Sequence, residues 1–522
     1  MVYRKHTDLG NSGINTGIQA LLSLYINTAV RQKEIIMKKS ALRLFVFSLS
    51  LVLIFSCTAC KKSNSSGDES LTDSFVDIIY DNEESDGTDS TDSSSKIDAN
   101  HGSSVALDTK NLEKDSNPQK ELQKQLKDSA KGKTLKILST WGEDGLMNQC
   151  YRSMFKALCG GSLEIIRCAD WSGMQQKLAQ MHAANNAPDL YEVTNQDYPS
   201  VVYRGIIEPL SDHIDFNNGV YSDADRKLLN ELKFNGKVYF WPTFKEPNGT
   251  RTGLWVNDSI FEQFGIPENQ RPKALVKANN WTWDTMYDLI KKTTDKAKGI
   301  YGLATPENSS FPYGMAATTG EDLIKYTSNG IISNFTSANI TRAMNMFKKM
   351  SDANYCIIQK AADTFQNGKA AMMYGNNGNG SNKKINAMAQ DGTAYIVPLA
   401  RDPKQSNYNI FAMVDGLAVP SGSKNKDIAM NFIKMLRASD HYSSQVAEIV
   451  FKQGKYTTQM KQYAEDCVNK YNMVPVTSLG IKEILGTTWE AWGQNFLQSN
   501  ATWETRGAEY SPKIQSILDK LG

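Results

Sequence analysis

Thr134-Leu-Lys-Ile-Leu-Ser-Thr-Trp141, Leu163-Glu-Ile-Ile-Arg-Cys168 and Asp189-Leu-Tyr-Glu-Val193 are three short, mostly apolar runs. The first and third run into loops that open on Trp141 and on Thr194-Asn-Gln-Asp197; the second opens on Ala169-Asp-Trp171. Between the first two runs, Met147, Tyr151, Met154 and Phe155 recur at helical spacing, and after the second, Met174, Leu178 and Met181 share one face of a stretch from Trp171 to Ala184. Strand–helix alternation at this spacing predicts an α/β fold with a parallel sheet and crossover helices. In such sheets ligands bind beyond the carboxyl ends of the strands. Trp141, the 169–171 loop and the 194–197 loop are therefore expected to face one crevice.

Upstream of Thr134 the sequence changes character twice. Residues 61–131 are rich in Ser, Asp, Glu, Asn and Lys, as in Asp81-Asn-Glu-Glu-Ser-Asp-Gly-Thr-Asp-Ser-Thr-Asp-Ser-Ser-Ser95. So few apolar groups cannot offset chain entropy, so the stretch is expected to be a disordered polar linker, with at most a transient helix over 119–131. Before it, Met37-Lys-Lys-Ser-Ala-Leu-Arg43 precedes the apolar run Leu44–Phe55 and a small-residue end, Ser-Cys-Thr-Ala-Cys60. That order is the one of a secretory signal peptide, residues 37–60. The run falls short of the about 20 apolar residues that a membrane span needs. Its end resembles a bacterial lipobox with Cys60 as the lipidated residue; Cys57 stands where that pattern prefers Leu and is itself a second candidate. An ordinary cleaved signal is the alternative. Since signal peptides begin at the N-terminus, residues 1–36 are read as a misassigned upstream extension, with Met37 as the start.

Of 522 residues, about 390 lie from Thr134 onward, enough for two lobes. The net charge of +2 gives no electrostatic case for nucleic acid. Outside the signal the cysteines are Cys150, Cys159, Cys168, Cys356 and Cys467. None forms a Cys-x-x-Cys pair, which argues against zinc, and whether any two pair as a disulfide is left open. The histidines of this part are His182, His213 and His441, with no HExxH spacing, and neither a GxSxG elbow nor a phosphate-binding loop is present. No enzyme chemistry, metal or cofactor is expected. A carboxylate pair at glycosidase distance is not visible from sequence, so a secreted glycan-active enzyme is the competing class.

Several further segments carry a resemblance by their order. They are Lys177-Leu-Ala-Gln-Met-His-Ala-Ala-Asn-Asn-Ala-Pro-Asp-Leu190, Gly205-Ile-Ile-Glu-Pro-Leu210, Asn235-Gly-Lys-Val-Tyr-Phe-Trp-Pro242, Gly253-Leu-Trp-Val-Asn-Asp258, Trp281-Thr-Trp-Asp-Thr-Met286, Gly299-Ile-Tyr-Gly-Leu303, Phe365-Gln-Asn-Gly-Lys-Ala-Ala-Met-Met-Tyr-Gly375 and Gly416-Leu-Ala-Val-Pro-Ser-Gly-Ser-Lys-Asn-Lys-Asp427. Together residues 134–522 resemble family 1 of the bacterial extracellular solute-binding proteins, the maltose-binding-protein-like lipoproteins of ABC transporters.

The resemblance implies a periplasmic-binding-protein-like (type II) fold, two α/β lobes joined by crossing hinge strands around a ligand cleft. Lobe one is expected at 134–243 plus 393–440, and lobe two at 244–392 plus 441–522. It implies a monomer on the outer face of the cytoplasmic membrane, lipid-anchored, that captures a carbohydrate by lobe closure and hands it to ABC permease subunits. A receptor for a non-sugar polar solute such as a peptide or polyamine, or a ligand-sensing subunit of a membrane signalling protein, are the alternatives. Aromatic rings stack on sugar faces while amides and carboxylates take hydroxyls. By matched position the candidate ligand residues are Trp141, Asp170, Trp171, Asn195, Asp197, Trp241, Glu246, Tyr313, Asn376, Trp489 and Trp492. Each Trp has core packing as its bland alternative, and Asp170 and Asp197 have turn or cap roles. At Gly375-Asn-Asn-Gly-Asn-Gly-Ser-Asn382 many sugar-binding relatives place an aromatic instead; this loop offers amides for hydrogen bonding or forms a mobile flap.

Overall fold

The computed structural model describes residues 107 and 112–519, apart from 144, 169–170, 195–196, 243–251, 307–309, 328–329, 359, 413–414, 476–477, 479–492 and 494–495. The signal segment 37–60 with Cys60, residues 1–36 and the linker as far as 106 lie outside the described residues.

Strands β1 (Thr134–Ser139), β2 (Ser162–Arg167) and β3 (Leu190–Thr194) alternate with helices Leu146–Cys159 and Trp171–Ala183. β1 lies parallel to both neighbours, Ile137 opposite Ile165 and Leu138 opposite Tyr191. Leu135, Ile137 and Leu138 are buried, as are Tyr151, Met154 and Phe155 of the helix that covers them. β4 (Phe240–Pro242) ends this first passage. The chain then enters a second lobe with β5 (Thr252–Asn257), β6 (Tyr301–Thr305), the hairpin β7 (Ile324–Thr327) and β8 (Gly330–Ser333), β9 (Cys356–Ile358), β10 (Ala370–Asn376) and β11 (Ala394–Val397). β12 (Asn409–Ala412) pairs in parallel with the later β14 (Asn472–Pro475), and β13 (Asp415–Ala418) rejoins the first sheet.

The two five-stranded sheets share one plan. The first runs β2-β1-β3-β13-β4, and the second, read from its β9 edge, β9-β6-β10-β5-β11. In each, three parallel strands are followed by an antiparallel strand that has come from the other lobe: β13 against β3, and β5 against β10. Both crossing strands place glycine at their second residue, where another backbone comes close. A Cβ on Gly253 would sit 2.5 Å from the Val397 carbonyl oxygen, and one on Gly416 2.5 Å from that of Trp241. Only glycine fits such an approach.

The lobe boundaries differ from the expected ones in three places. β11, expected in lobe one as part of 393–440, pairs with β5 (Tyr395 opposite Val256) and belongs to lobe two. Helix Asp440–Gln453 was expected in lobe two, but buries Tyr442 and Val446 in the lobe-one core with Tyr151 and Phe432. The chain returns to lobe two only with helix Thr458–Asn469, whose Met460 and Tyr463 join Trp255 and Ile396 in a lobe-two cluster.

The third difference lies in the segment expected to be a disordered linker through 131. Residues 117–126 form a helix with a capping box: Gln119 donates its backbone N–H to Ser116 Oγ, and Ser116 N–H returns a bond to Gln119 Oε1. Two reciprocal bonds at the N-terminus fix the helix start. Leu122 and Leu126, one turn apart, are buried against lobe one. Gln119 Nε2 donates to the Arg437 carbonyl (3.3 Å), and Gln123 Nε2 to the Ala438 carbonyl (2.6 Å) and Asp115 (2.8 Å). These carbonyls lie at the end of helix Lys426–Met435, where intrahelical partners run out.

An apolar cluster continues from Tyr198, Phe234 and Phe240 of lobe one into Leu303, Phe335 and Trp503 of lobe two. Phe234 meets Tyr326 of the β7–β8 hairpin edge to face, with ring centroids 5.3 Å apart. The five cysteines that sequence left open are buried free thiols. Among the described residues no helix is long and apolar enough to cross a membrane, and no cluster could hold a metal ion.

Candidate ligand crevice

The carboxyl ends of β1 and β3 and the start of β13 come together, because β1 and β3 run parallel while β13 starts opposite the end of β3, with Asp415 across from Thr194. Beyond β1 the chain turns at Trp141, whose side chain is 37% exposed; apart from Ile332, no other large apolar side chain among the described residues is as open. Its backbone is firmly held. Trp141 N–H donates to Ser139 Oγ (3.0 Å), and the buried Asn148 amide donates to the carbonyls of Trp141 (3.0 Å) and Gly142 (2.9 Å). Asn148 sits in the first turn of helix Leu146–Cys159, so the helix that follows β1 pins the loop it grew from. An open indole on a fixed backbone is a platform for a flat apolar face, such as a pyranose ring presents.

Beneath the loop lies a carboxylate network that sequence reading passed over. Ser139 Oγ donates to Glu192 Oε2 at 2.6 Å. Glu192, inside β3, is buried, and burial is the main reason its carboxyl is pushed up to about 7; the Ser139 and Thr140 hydrogen bonds oppose the rise, and Asp415 and Asp197 add to it. Asp197, also buried, accepts from Gln175 Nε2 (2.8 Å) and Tyr191 OH (3.4 Å). The expected ligand residue Asp197 thus spends its oxygens on neighbouring elements. A glutamate inside a strand otherwise buried on both faces was the available signal, because such a side chain is almost never fully buried without partners.

Three other candidates sit away from any open surface. Trp241, expected on the inter-lobe crossing, is 1% exposed in the lobe-one core. Its ring stacks on Phe216 (centroids 5.3 Å, 6° between planes), meets Tyr221 edge-on (5.0 Å) and lies under the Arg437 guanidinium (4.6 Å). Arg437 is in turn paired with buried Asp225 (3.2 Å). Tyr313, in helix Ser310–Ala317, is 2% exposed in the cluster with Phe311 and Tyr374. Asn376 is a cap: its side chain accepts from Asn379 N–H (3.1 Å), while Asn379 Oδ1 accepts from Asn376 N–H (2.7 Å). With Asn386 donating to the Gly380 carbonyl (2.7 Å), the Gly-Asn loop is a tied turn, and Asn376 and Asn377 in it are buried. It is neither a mobile flap nor an open row of amides. Trp171 begins the helix Trp171–Ala183 at the expected edge of the crevice. Asp170, Asn195, Glu246, Trp489 and Trp492 lie outside the described residues.

Comparison with known proteins agrees with this architecture. The chain is 26% identical over 291 residues to the diacetylchitobiose binding protein DasA of Streptomyces coelicolor, a match that spans 53% of this chain and 63% of that protein. Among solved structures, the sugar-binding protein MalE of Xanthomonas citri superposes with a TM-score of 0.61 at 15% identity, covering 74% of this chain and 98% of that one. A cyclo/maltodextrin-binding protein complexed with maltotetraose gives 0.57 at 16% identity, covering 74% and 96%. These likenesses mark the fold as that of the type II, two-lobed binding proteins. The sequence profile described as bacterial extracellular solute-binding protein matches residues 151–470, more than half of the chain, and the chain belongs to that family.

Proposed function

We propose that this chain captures a carbohydrate between its two lobes outside the cytoplasmic membrane and delivers it to the permease of an ABC transporter. The observation that carries this reading is the exposed Trp141 ring, held on a rigid backbone at the carboxyl ends of the lobe-one strands in a member of this family. A ligand that touches both lobes in a closed state and only one in an open state draws the equilibrium toward closure. Hinge closure of this kind is the form a membrane partner reads. The curated relative suggests an N-acetylated disaccharide as the first sugar to try. Cys60 is the proposed lipid anchor, the protein acts as a monomer, and it releases its sugar unchanged.

Thermal unfolding of the chain from Lys61 onward, against a panel of mono- and oligosaccharides, peptides and polyamines, tests the reading. Ligand at 100 times its dissociation constant adds about 2.7 kcal/mol of apparent stability. A shift with one saccharide class and no product supports sugar capture. A shift only with charged solutes, or turnover of an oligosaccharide, refutes it.

A further inference from the structure

Where β1 runs out into the Trp141 loop, two consecutive residues donate to one buried carboxylate and the third leans on the first of them. Ser139 Oγ–H reaches Glu192 Oε2 at 2.6 Å, Thr140 contributes a backbone hydrogen bond to the same carboxylate, and Trp141 N–H binds the Ser139 oxygen at 3.0 Å. Glu192 is anchored in the middle of β3, opposite Leu417 of β13, and does not move with the loop. We propose that Glu192 is the positioning residue of the crevice: acting through Ser139 and Thr140, its ionised carboxylate sets the pose of the Trp141 loop, and protonation releases it.

An ionised carboxylate only accepts hydrogen bonds, which suits two donors arriving from one direction. Charge-assisted bonds are roughly twice as strong as neutral ones, so loss of the charge weakens both direct bonds together. The protonated acid must also place its own hydrogen. The charged groups that face it are Asp415 at the start of β13 and Asp197 ahead of helix Tyr198–Tyr203; β1 offers the Ser139 hydroxyl and the Thr140 backbone. A proton donated by Glu192 to the Ser139 oxygen reverses the Ser139–Glu192 bond, so the hydroxyl that receives Trp141 N–H must turn its own hydrogen elsewhere, and a proton shared with Asp415 or Asp197 draws the carboxyl away from β1. The two acidic neighbours and the burial both favour the protonated form, so the switch falls near neutrality rather than in acid. The crevice then holds its aromatic platform at slightly alkaline pH and loosens it at slightly acidic pH.

That the pose of Trp141 matters for saccharide affinity rests on the proposed function; the pose itself does not. The test therefore has two arms, both with the full chain. In the first, the emission of Trp141 in ligand-free protein is isolated as the difference from Trp141→Phe and followed from pH 5 to 9. A transition with a midpoint near 7 is expected in the otherwise native protein. It should vanish in Glu192→Gln and in Ser139→Ala. Ser139→Ala keeps the carboxylate and decides the matter should Glu192→Gln fail to fold. No transition in the native chain, or one that persists in either variant, overturns the inference. In the second arm, N,N′-diacetylchitobiose is titrated at pH 6 and pH 8, and binding about fivefold weaker at pH 6 is expected from the exchange of a charged for a neutral acceptor. Equal affinity at both values counts against the inference. A sugar that fails to bind at either pH, with the fluorescence transition intact, supports the inference and counts against the proposed function.

Discussion

Truncating two tryptophans one at a time should separate platform from core. Trp241→Ala removes a fully buried ring that stacks on Phe216, meets Tyr221 and underlies Arg437. Large-to-small changes of this type cost about 3–5 kcal/mol through lost transfer energy and the cavity left behind. The desolvated cation–π contact adds about 1–2 kcal/mol. The Arg437–Asp225 pair above it survives but loses the ring it rests on. At about 2–4 °C per kcal/mol for a lobe-sized domain, the expected fall in unfolding temperature is about 8–28 °C. Saccharide affinity, measured by titration calorimetry well below the new transition, should stay within about threefold, equivalent to less than 1 kcal/mol. Trp141→Ala should do the reverse. Its ring is 37% exposed, so stability changes by about 1 kcal/mol or less, while loss of a stacking platform costs about tenfold or more in affinity. A Trp241→Ala protein with unchanged unfolding temperature and abolished binding would refute the placement of Trp241 in the core and restore it to the cleft.

Gly416→Ala should destabilise by about 1–3 kcal/mol in urea unfolding, because its Cβ has no room beside Phe240 and the Trp241 carbonyl; a neutral effect would mean that the crossing strand gives way freely. Leu126→Ala should cost about 2–5 kcal/mol although it lies in a stretch of linker-like composition, and cleavage after residue 126 by limited proteolysis should be slow; rapid cleavage and an unchanged midpoint would show that helix Asn117–Leu126 does not dock. Glu192 titrates near 7 in the fold against 4.5 when free, so folding takes up a proton; the stability this brings is complete below pH 4.5 and lost as pH rises through 7, a change of about 3 kcal/mol. Glu192→Gln should lack that part of the pH dependence, read from urea midpoints at pH 5 and pH 8, and an identical slope in both proteins would contradict the burial assigned to this carboxyl.

The alternation from Thr134 to Val193 was legible because each element carries its own periodicity, and the structure returns those strands within one or two residues of their expected ends. The features that escaped depend on partners far along the chain. Helix Asn117–Leu126 has only Leu122 and Leu126 to bury, and its polar clasp closes on carbonyls at Arg437 and Ala438. Nothing in its composition announces that. Strands β11 and β13 are four residues each, and only pairing with β5 or with β3 sorts them into lobes. Trp241 was read as open because it stands beside a crossing, whereas Phe216 and Tyr221 of one loop and Arg437, far along the chain, arrive to bury it. At the crevice the strand-end rule located Trp141. The carboxylate beneath it stayed hidden, since one glutamate in a strand does not show which hydroxyl meets it.

The docked helix also has a mechanical meaning. Were the chain to enter the fold directly at Thr134, a pull from upstream would act on β1, the strand that carries the Trp141 loop at its far end. With Gln119, Gln123, Leu122 and Leu126 gripping the end of helix Lys426–Met435, the load passes into the outer layer of lobe one first. The helix works as strain relief does on a cable: were the chain tethered through the proposed anchor at Cys60, it would take up a tug before the crevice did.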